Sequence, residues 1–532
     1  MFTRRFWLTF LLALASIGPH ATSAGVPHSP LMPAGLQEAL GSGDLRLSGM
    51  GPDGDTTFTA TWSDVAYNSL SNEYLVVWSG EDNSGALVNG EFEIFGQRID
   101  AVSGAEIGAD DFRISDMGPD GDLAYDAYRP AVAYNRDENE YLVVWSGDDD
   151  IAPLTEGKEE IFAQRIDAAT GEEIGTNDFF VSVTYSPNPI YAIDARYPDV
   201  AYNGVDGEYL VVWAAPYAGQ PLDKEISGRR VDGASGALLG DAVRISSVEP
   251  DCWDGDIGTL GVCIDMEARY PAVSFNPAGN EYLVVWEQDR WSYDPTDFEI
   301  FGQFLSAIAT TIGANFQISS MCGGSTNGCY GRNPAIAFSG AAGEFLAVWD
   351  GDELESGLSP SGVEIFGQRI DASTRTTIGV DDFRISDMGP EDNGTYHADY
   401  PAAAYDTAHA EYLVIWHGTD DTAGLVRGED EVFAQRIDAR TGVELGVNDY
   451  RISTMGPDGD KTYDAMWPAV AFDMSGARFL VTWRGDDANA PLVNDEFEIF
   501  GRLLTPFALR YFVSDSAAAV VPATPRLAAS ER

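Results

Sequence analysis

Apolar and polar residues alternate in short runs along this chain, and the runs recur in sets of four. One set reads Pro130 to Asn135 (PAVAYN), Glu140 to Trp145 (EYLVVW), Glu160 to Asp167 (EIFAQRID) and Asp178 to Ser182 (DFFVS). Each run is rich in Val, Ile, Phe and Tyr and is bounded by Gly, Asn, Asp or Pro, the pattern of β-strands separated by turns. No stretch sustains a helical period. The second run ends on a tryptophan in every set, at Trp78, Trp145, Trp213, Trp286, Trp349, Trp416 and Trp483. Seven four-stranded units at such regular spacing predict an all-β, seven-bladed β-propeller, in which each blade buries its faces against two neighbours.

The ends of the array sharpen this expectation. The chain opens on an isolated fourth run, Asp44 to Ser48 (DLRLS), and stops after a third run, Glu498 to Leu504. Together they make one blade, so the N-terminal strand is expected to complete the last blade and close the ring, leaving no open sheet edge there. With the strands of a blade named a to d from the axis outward, the d–a and b–c loops share one face, here called the top.

Outside the ring, Arg4 and Arg5 precede an apolar run from Phe6 to Ile17 and the small residues Ala21 to Ala24, as in an export signal. The expected organisation is a signal peptide over 1–24, a linker over 25–43, the propeller over 44–505 and a flexible tail over 506–532, rich in Ala, Pro and Ser. The mature protein is expected to be secreted or periplasmic, with no membrane span, and monomeric. A formal net charge of −54 argues against nucleic acid or anionic lipid as partners, which it would repel. It fits solvation in high salt, loading with divalent cations or attraction to a basic partner.

Four cysteines sit in two d–a loops, Cys252 with Cys263 and Cys322 with Cys329; pairing within each loop is the simplest of three connectivities, and an oxidising compartment permits it. Acidic turns follow strand b, as at Gly80-Glu81-Asp82 and Gly147-Asp148-Asp149, facing d–a loops such as Gly118-Pro119-Asp120-Gly121-Asp122. Carboxylates on tight glycine-bearing loops suit calcium, although Asp and Gly are also ordinary turn formers. Four residues before the strand-a proline stand Asp126, Asp194, Glu267, His397 and Asp464, with Thr59 and Tyr330 at the other two places. These would form a metal-holding ring at the mouth of the channel, or simply shape the turn into strand a. The glutamate opening strand c recurs in all seven blades, from Glu93 to Glu498, and reads as architecture, as do Arg98, Arg165, Arg230, Arg369 and Arg436.

The repeat breaks on one side of the top. The b–c connections of blades 3 and 4 are shorter, the d–a loop into blade 4 is longer, and the residues there change character: Tyr185, Tyr191, Tyr217, Trp253, Arg290, Trp291, Tyr293 and Asp294. Aromatic faces beside carboxylates suit a glycan or peptide surface, and function tends to sit on loops carried by a rigid scaffold. The PAVAYN, EYLVVW and EIFGQRIDA elements resemble the repeats of secreted bacterial β-propeller proteins across essentially the whole mature chain. That resemblance implies the seven-bladed ring and little about activity. The acidic inter-strand loops look distantly like those of integrin-type propellers, but the DxDxDG calcium loop of those proteins is absent here.

The functional expectation is a non-catalytic extracellular propeller that presents the top of blades 3 and 4 to a glycan, peptide or cell-surface partner, with calcium a possible stabiliser. The alternative is a glycoside hydrolase or polysaccharide lyase, whose paired carboxylates would come from Asp194, Asp254, Glu267, Asp289 and Asp294. No nucleophile, histidine dyad or cofactor motif stands out.

Overall fold

A computed structural model describes residues 43–505, apart from 152–156, 183–193, 218–219, 248–250, 253–262, 265–266, 290–297, 322–328, 353–361, 391–394 and 422–423. Seven four-stranded antiparallel sheets are present, and no helix occurs among the described residues. Blade 1 shows the order: strand a is Ala60–Asn68, b is Glu73–Glu81, c is Phe92–Asp100 and d is Glu106–Arg113. Blade 7 is Ala465–Asp473, Arg478–Gly485 and Glu498–Leu504, completed by Leu45–Arg46 from the N-terminal end. Leu45 lies opposite Gly501 and Arg46 opposite Phe500.

Burial explains why the sequence pattern was so regular. Strand b is buried along its whole length in blade 1, and all seven strand-b tryptophans are at most 2% exposed. The core consists of seven apolar clusters, each spanning two adjacent blades, including one that joins Leu47, Val76 and Trp78 to Leu480 and Ile499 across the closure. Stability therefore comes from nearest-neighbour interfaces repeated around a ring, as in other repeat proteins.

Two boundaries differ from the expected ones. Strand d begins earlier, at Glu173 in blade 2 and Glu106 in blade 1. Its first half is polar and exposed on the outer rim, with a positive-φ glycine at Gly108 and Gly175, so it lacks the apolar signal of a strand. In blade 3 the b–c connection is not an open loop, because Glu208–Tyr217 and Gln220–Asp232 run on as a hairpin that pairs Tyr217 with Gln220.

The strand-c glutamates close each blade at its outer edge. Glu93 accepts the Ser115 hydroxyl, an Arg113 guanidinium and the Met117 amide, while Ser115 Oγ in turn accepts the Ile94 amide at 2.7 Å. Glu364 and Glu431 repeat the clasp with Ser386, Arg384 and Met388 and with Ser453, Arg451 and Met455. Glu498 makes it with Arg46, Ser48 and Met50, so the ring is fastened by the same device that holds strand d in blades 1, 5 and 6. The strand-c arginines pair within their blades, Arg98 with Glu73 at 2.8 Å and Arg436 with Glu411 at 2.5 Å.

Candidate functional site

Strand a carries a bulge in every blade. The a–b register shifts between Thr61 and Asp64 in blade 1, between Tyr128 and Ala131 in blade 2, and at the corresponding place in the other five. At the bulge one residue takes a positive φ: Trp62 (55°), Arg129 (55°), Tyr197 (59°), Tyr270 (50°), Asn333 (49°), Tyr400 (51°) and Trp467 (53°). In six blades a proline follows, and in blade 1 Ser63. Left-handed backbone costs a residue with a Cβ about 1–2 kcal/mol, and glycine avoids that cost. None of the seven is glycine, so the side chains are kept despite the strain.

Those side chains converge on the axis near the top mouth, and with the prolines and Ser63 they line a cavity of about 230 Å³. Trp62 stacks on Trp467 with ring centroids 4.0 Å apart and planes 16° from parallel, and lies 6.0 Å from Tyr400. Tyr197 stacks on Tyr270 at 4.2 Å. The Arg129 guanidinium lies 3.7 Å over Trp62 and 4.8 Å from the Tyr197 centroid. Five aromatic rings, one guanidinium and one amide therefore form the wall.

A second ring holds the first. In four blades the residue after the strand-b tryptophan reaches the backbone of the next blade: Ser79 Oγ accepts the Arg129 amide at 3.0 Å, Ser146 Oγ that of Tyr197 at 3.2 Å, Glu287 that of Asn333 at 2.9 Å and Asp350 that of Tyr400 at 3.1 Å. Blades 6 and 7 place His417 and Arg484 there, and blade 3 Ala214. The support is small and neutral on blades 1 to 3 and ionisable on blades 4 to 7.

Electrostatics on the ionisable side follow from burial. Burial raises Asp350 well above the usual carboxylate range, with the nearby Asp399 charge adding to it, and raises Asp399 too. Burial lowers His417 to about 4, so its imidazole is neutral at pH 7; it lies against Tyr400 at 5.7 Å. Burial also works against the His397 cation, but the Asp430 carboxylate, 3.2 Å from Nε2, outweighs it and raises the imidazole. Two residues past the ring, Asp64 and Asp199 accept the Val132 and Val273 amides of the next blade, and burial pushes them up to about 6 and about 7.

The residues singled out by sequence fall elsewhere. Asp126, Asp194 and Asp464 point at the preceding blade, accepting the amides of Phe92 (2.9 Å), Glu159 (3.4 Å) and Asp430 (3.2 Å), and Glu267 pairs with Lys224 at 3.0 Å. His397 and His417 do approach, with ring centroids 6.4 Å apart. In the acidic turns, Asp82 accepts the Gly51 amide at 3.1 Å and Asp149 that of Gly118 at 3.2 Å, bracing each d–a loop. Among the described residues no three His, Cys, Asp or Glu side chains are grouped to hold a metal ion. Cys252 and Cys263 face each other in a two-stranded pair, and Cys329 is a buried disulfide cysteine whose expected partner, Cys322, lies outside the described residues. Tyr185, Tyr191, Trp253, Asp254, Arg290, Trp291, Tyr293 and Asp294 also lie outside them, while Tyr217 closes the blade 3 hairpin.

The axial ring was written in the sequence as the residue immediately before the strand-a proline. The candidate ring of Asp126, Asp194, Glu267, His397 and Asp464 stands three residues earlier in each case.

No protein-family model matches this chain, and no curated protein does. Several solved structures are similar to it over most of their own length. A protein of unknown function from Dyadobacter fermentans is 12% identical, over 71% of this chain and 94% of that one, with a TM-score of 0.40. The GH93 α-L-arabinofuranosidase of Fusarium graminearum, solved with arabinobiose, is 10% identical over 72% and 94%, with a TM-score of 0.42. Polysaccharide lyase Uly1 is 9% identical over 87% and 97%, with a TM-score of 0.45. Among the described residues no helix is long and apolar enough to cross a membrane.

Proposed function

We propose that this is an exported, non-catalytic binding propeller that takes a glycan at the axial mouth. The observation that carries this reading is the ring of Trp62, Tyr197, Tyr270, Tyr400 and Trp467 around the cavity, retained at a backbone conformation that favours glycine. Flat aromatic faces stack on the apolar faces of sugar rings, while Arg129 and Asn333 offer donors to hydroxyls. A volume of about 230 Å³ is below the ~300–1,000 Å³ of sites for drug-sized ligands. The mouth therefore suits one sugar residue, such as the end of a chain.

Titration calorimetry of the full chain against a panel of neutral and acidic oligosaccharides tests the reading. Trp467→Ala is expected to weaken binding at least tenfold. Binding equal to that of the parent protein would defeat the axial assignment. Calcium belongs to the same proposal only as a stabiliser of the acidic turns, whose carboxylates are of the type that takes it. A rise in Tm when calcium is restored after chelation would support that part.

One observation favours an enzyme instead. Burial raises the Asp350 and Asp399 carboxyls beside the ring above the usual carboxylate range, the direction a general acid requires. Release of reducing ends or unsaturated products from a polysaccharide, lost in Asp350→Asn with binding intact, would replace the binding reading.

A further inference from the structure

Acids outnumber bases on this chain by 85 to 31, so an arginine without an acidic partner is an anomaly. The arginines on the sheets behave as expected: Arg98, Arg230, Arg269 and Arg451 all pair with glutamates. Among the described residues, three part-buried arginines have no hydrogen bond or ion pair on any guanidinium nitrogen, namely Arg129, Arg332 and Arg484; Arg129 lines the axial mouth, Arg484 stands in its supporting ring and Arg332 adjoins it in sequence. Arg129 lies in the wall itself, held by the faces of Trp62 and Tyr197. Arg332 immediately precedes Asn333 of the wall and lies 4.4 Å from the Tyr330 ring centroid. Arg484 is 5.1 Å from the centroid of Trp467, a wall residue, and 3.6 Å from that of Phe497. The Nε atoms of Arg332 and Arg484 are buried without a partner.

From this juxtaposition we infer that the axial mouth selects a sugar bearing a carboxylate, a uronate-type residue, and that Arg129 is its anion partner. The inference rests on the glycan reading of the mouth and narrows its ligand class. A guanidinium whose donors face an open cavity can bind a carboxylate through two parallel charge-assisted hydrogen bonds. The aromatic faces that hold Arg129 orient its fork while leaving every N–H unused. Nearby acids do not claim it: Glu287 is taken by Arg269 at 2.6 Å, and Asp350 by the Asn333 amide nitrogen at 2.9 Å and the Tyr400 backbone. The remainder of the surface, at net charge −54, repels anions, so an acidic glycan would find favourable charge at this place and little elsewhere.

The test is calorimetry on the full chain with three monosaccharide probes, D-glucuronate, its methyl ester and D-glucose, and with acetate. Glucuronate is expected to bind at least tenfold more tightly than its ester. Arg129→Gln should remove that preference, weakening glucuronate at least tenfold more than the ester or glucose, and Arg129→Lys should restore part of it. Equal binding of glucuronate and ester, or a preference that survives Arg129→Gln, overturns the anion assignment and leaves the glycan reading standing. Acetate bound through Arg129 with no sugar bound overturns the glycan reading instead. Failure of all four probes to bind overturns both.

Discussion

Glu431 is wholly buried and accepts Ser453, Arg451 and the Met455 amide. Removing one partner of such a buried pair strands the other, at a cost of about 3–5 kcal/mol. Glu431→Ala is therefore expected to lower Tm sharply, by differential scanning calorimetry, whereas Glu106→Ala on the exposed rim should leave it nearly unchanged. The recurrence of this glutamate announced its structural role before its partners were visible. The axial residues were less legible, because a positive φ has no marker in sequence unless glycine occupies it, and Tyr197-Pro198 reads as ordinary strand. The strain itself is measurable. Tyr197→Gly should be more stable than Tyr197→Ala by about 1 kcal/mol, since only glycine relaxes at that φ; the reverse order would mean that the bulge stores no strain.

At the level of elements, a two-residue strand fastens the ring. Leu45–Arg46 pairs with the last strand, and Ser48 Oγ accepts the Ile499 amide at 2.7 Å. Deleting residues 44–48 would bare the edge of Glu498–Leu504 and strip the clasp from Glu498. The expected result is a lower Tm and the appearance of dimers or larger species by light scattering after size exclusion, as unpaired edges recruit other strands. A monodisperse monomer of unchanged Tm would show that closure is dispensable. This closure was legible from the partial runs at the two ends. The outer half of strand d and the hairpin of blade 3 were not, because rim strands are polar on both faces and a hairpin tip lacks alternation.

For the whole molecule, buried carboxylates set the response to pH. Burial raises Glu93, Glu364 and Glu431 to about 7, Asp111 to about 7 and Asp178 to about 8. Their unfolded values are near 4, so between about pH 4 and pH 8 the folded state binds more protons than the unfolded chain, and stability falls as pH rises through that window. Self-repulsion of the acidic surface acts in the same direction. Tm is expected to be higher at pH 5.5 than at pH 8, and to rise with salt at pH 8 as the repulsion is screened; a Tm that climbs steadily from pH 5.5 to pH 8 would contradict this account. The axial bulge has a further bearing on how such proteins diversify. One backbone, repeated seven times, projects seven side chains into a single chamber, and of these only Tyr197 packs against an apolar core cluster. Recognition can thus be rewritten one letter at a time, like a combination dial of seven wheels turning on a fixed spindle.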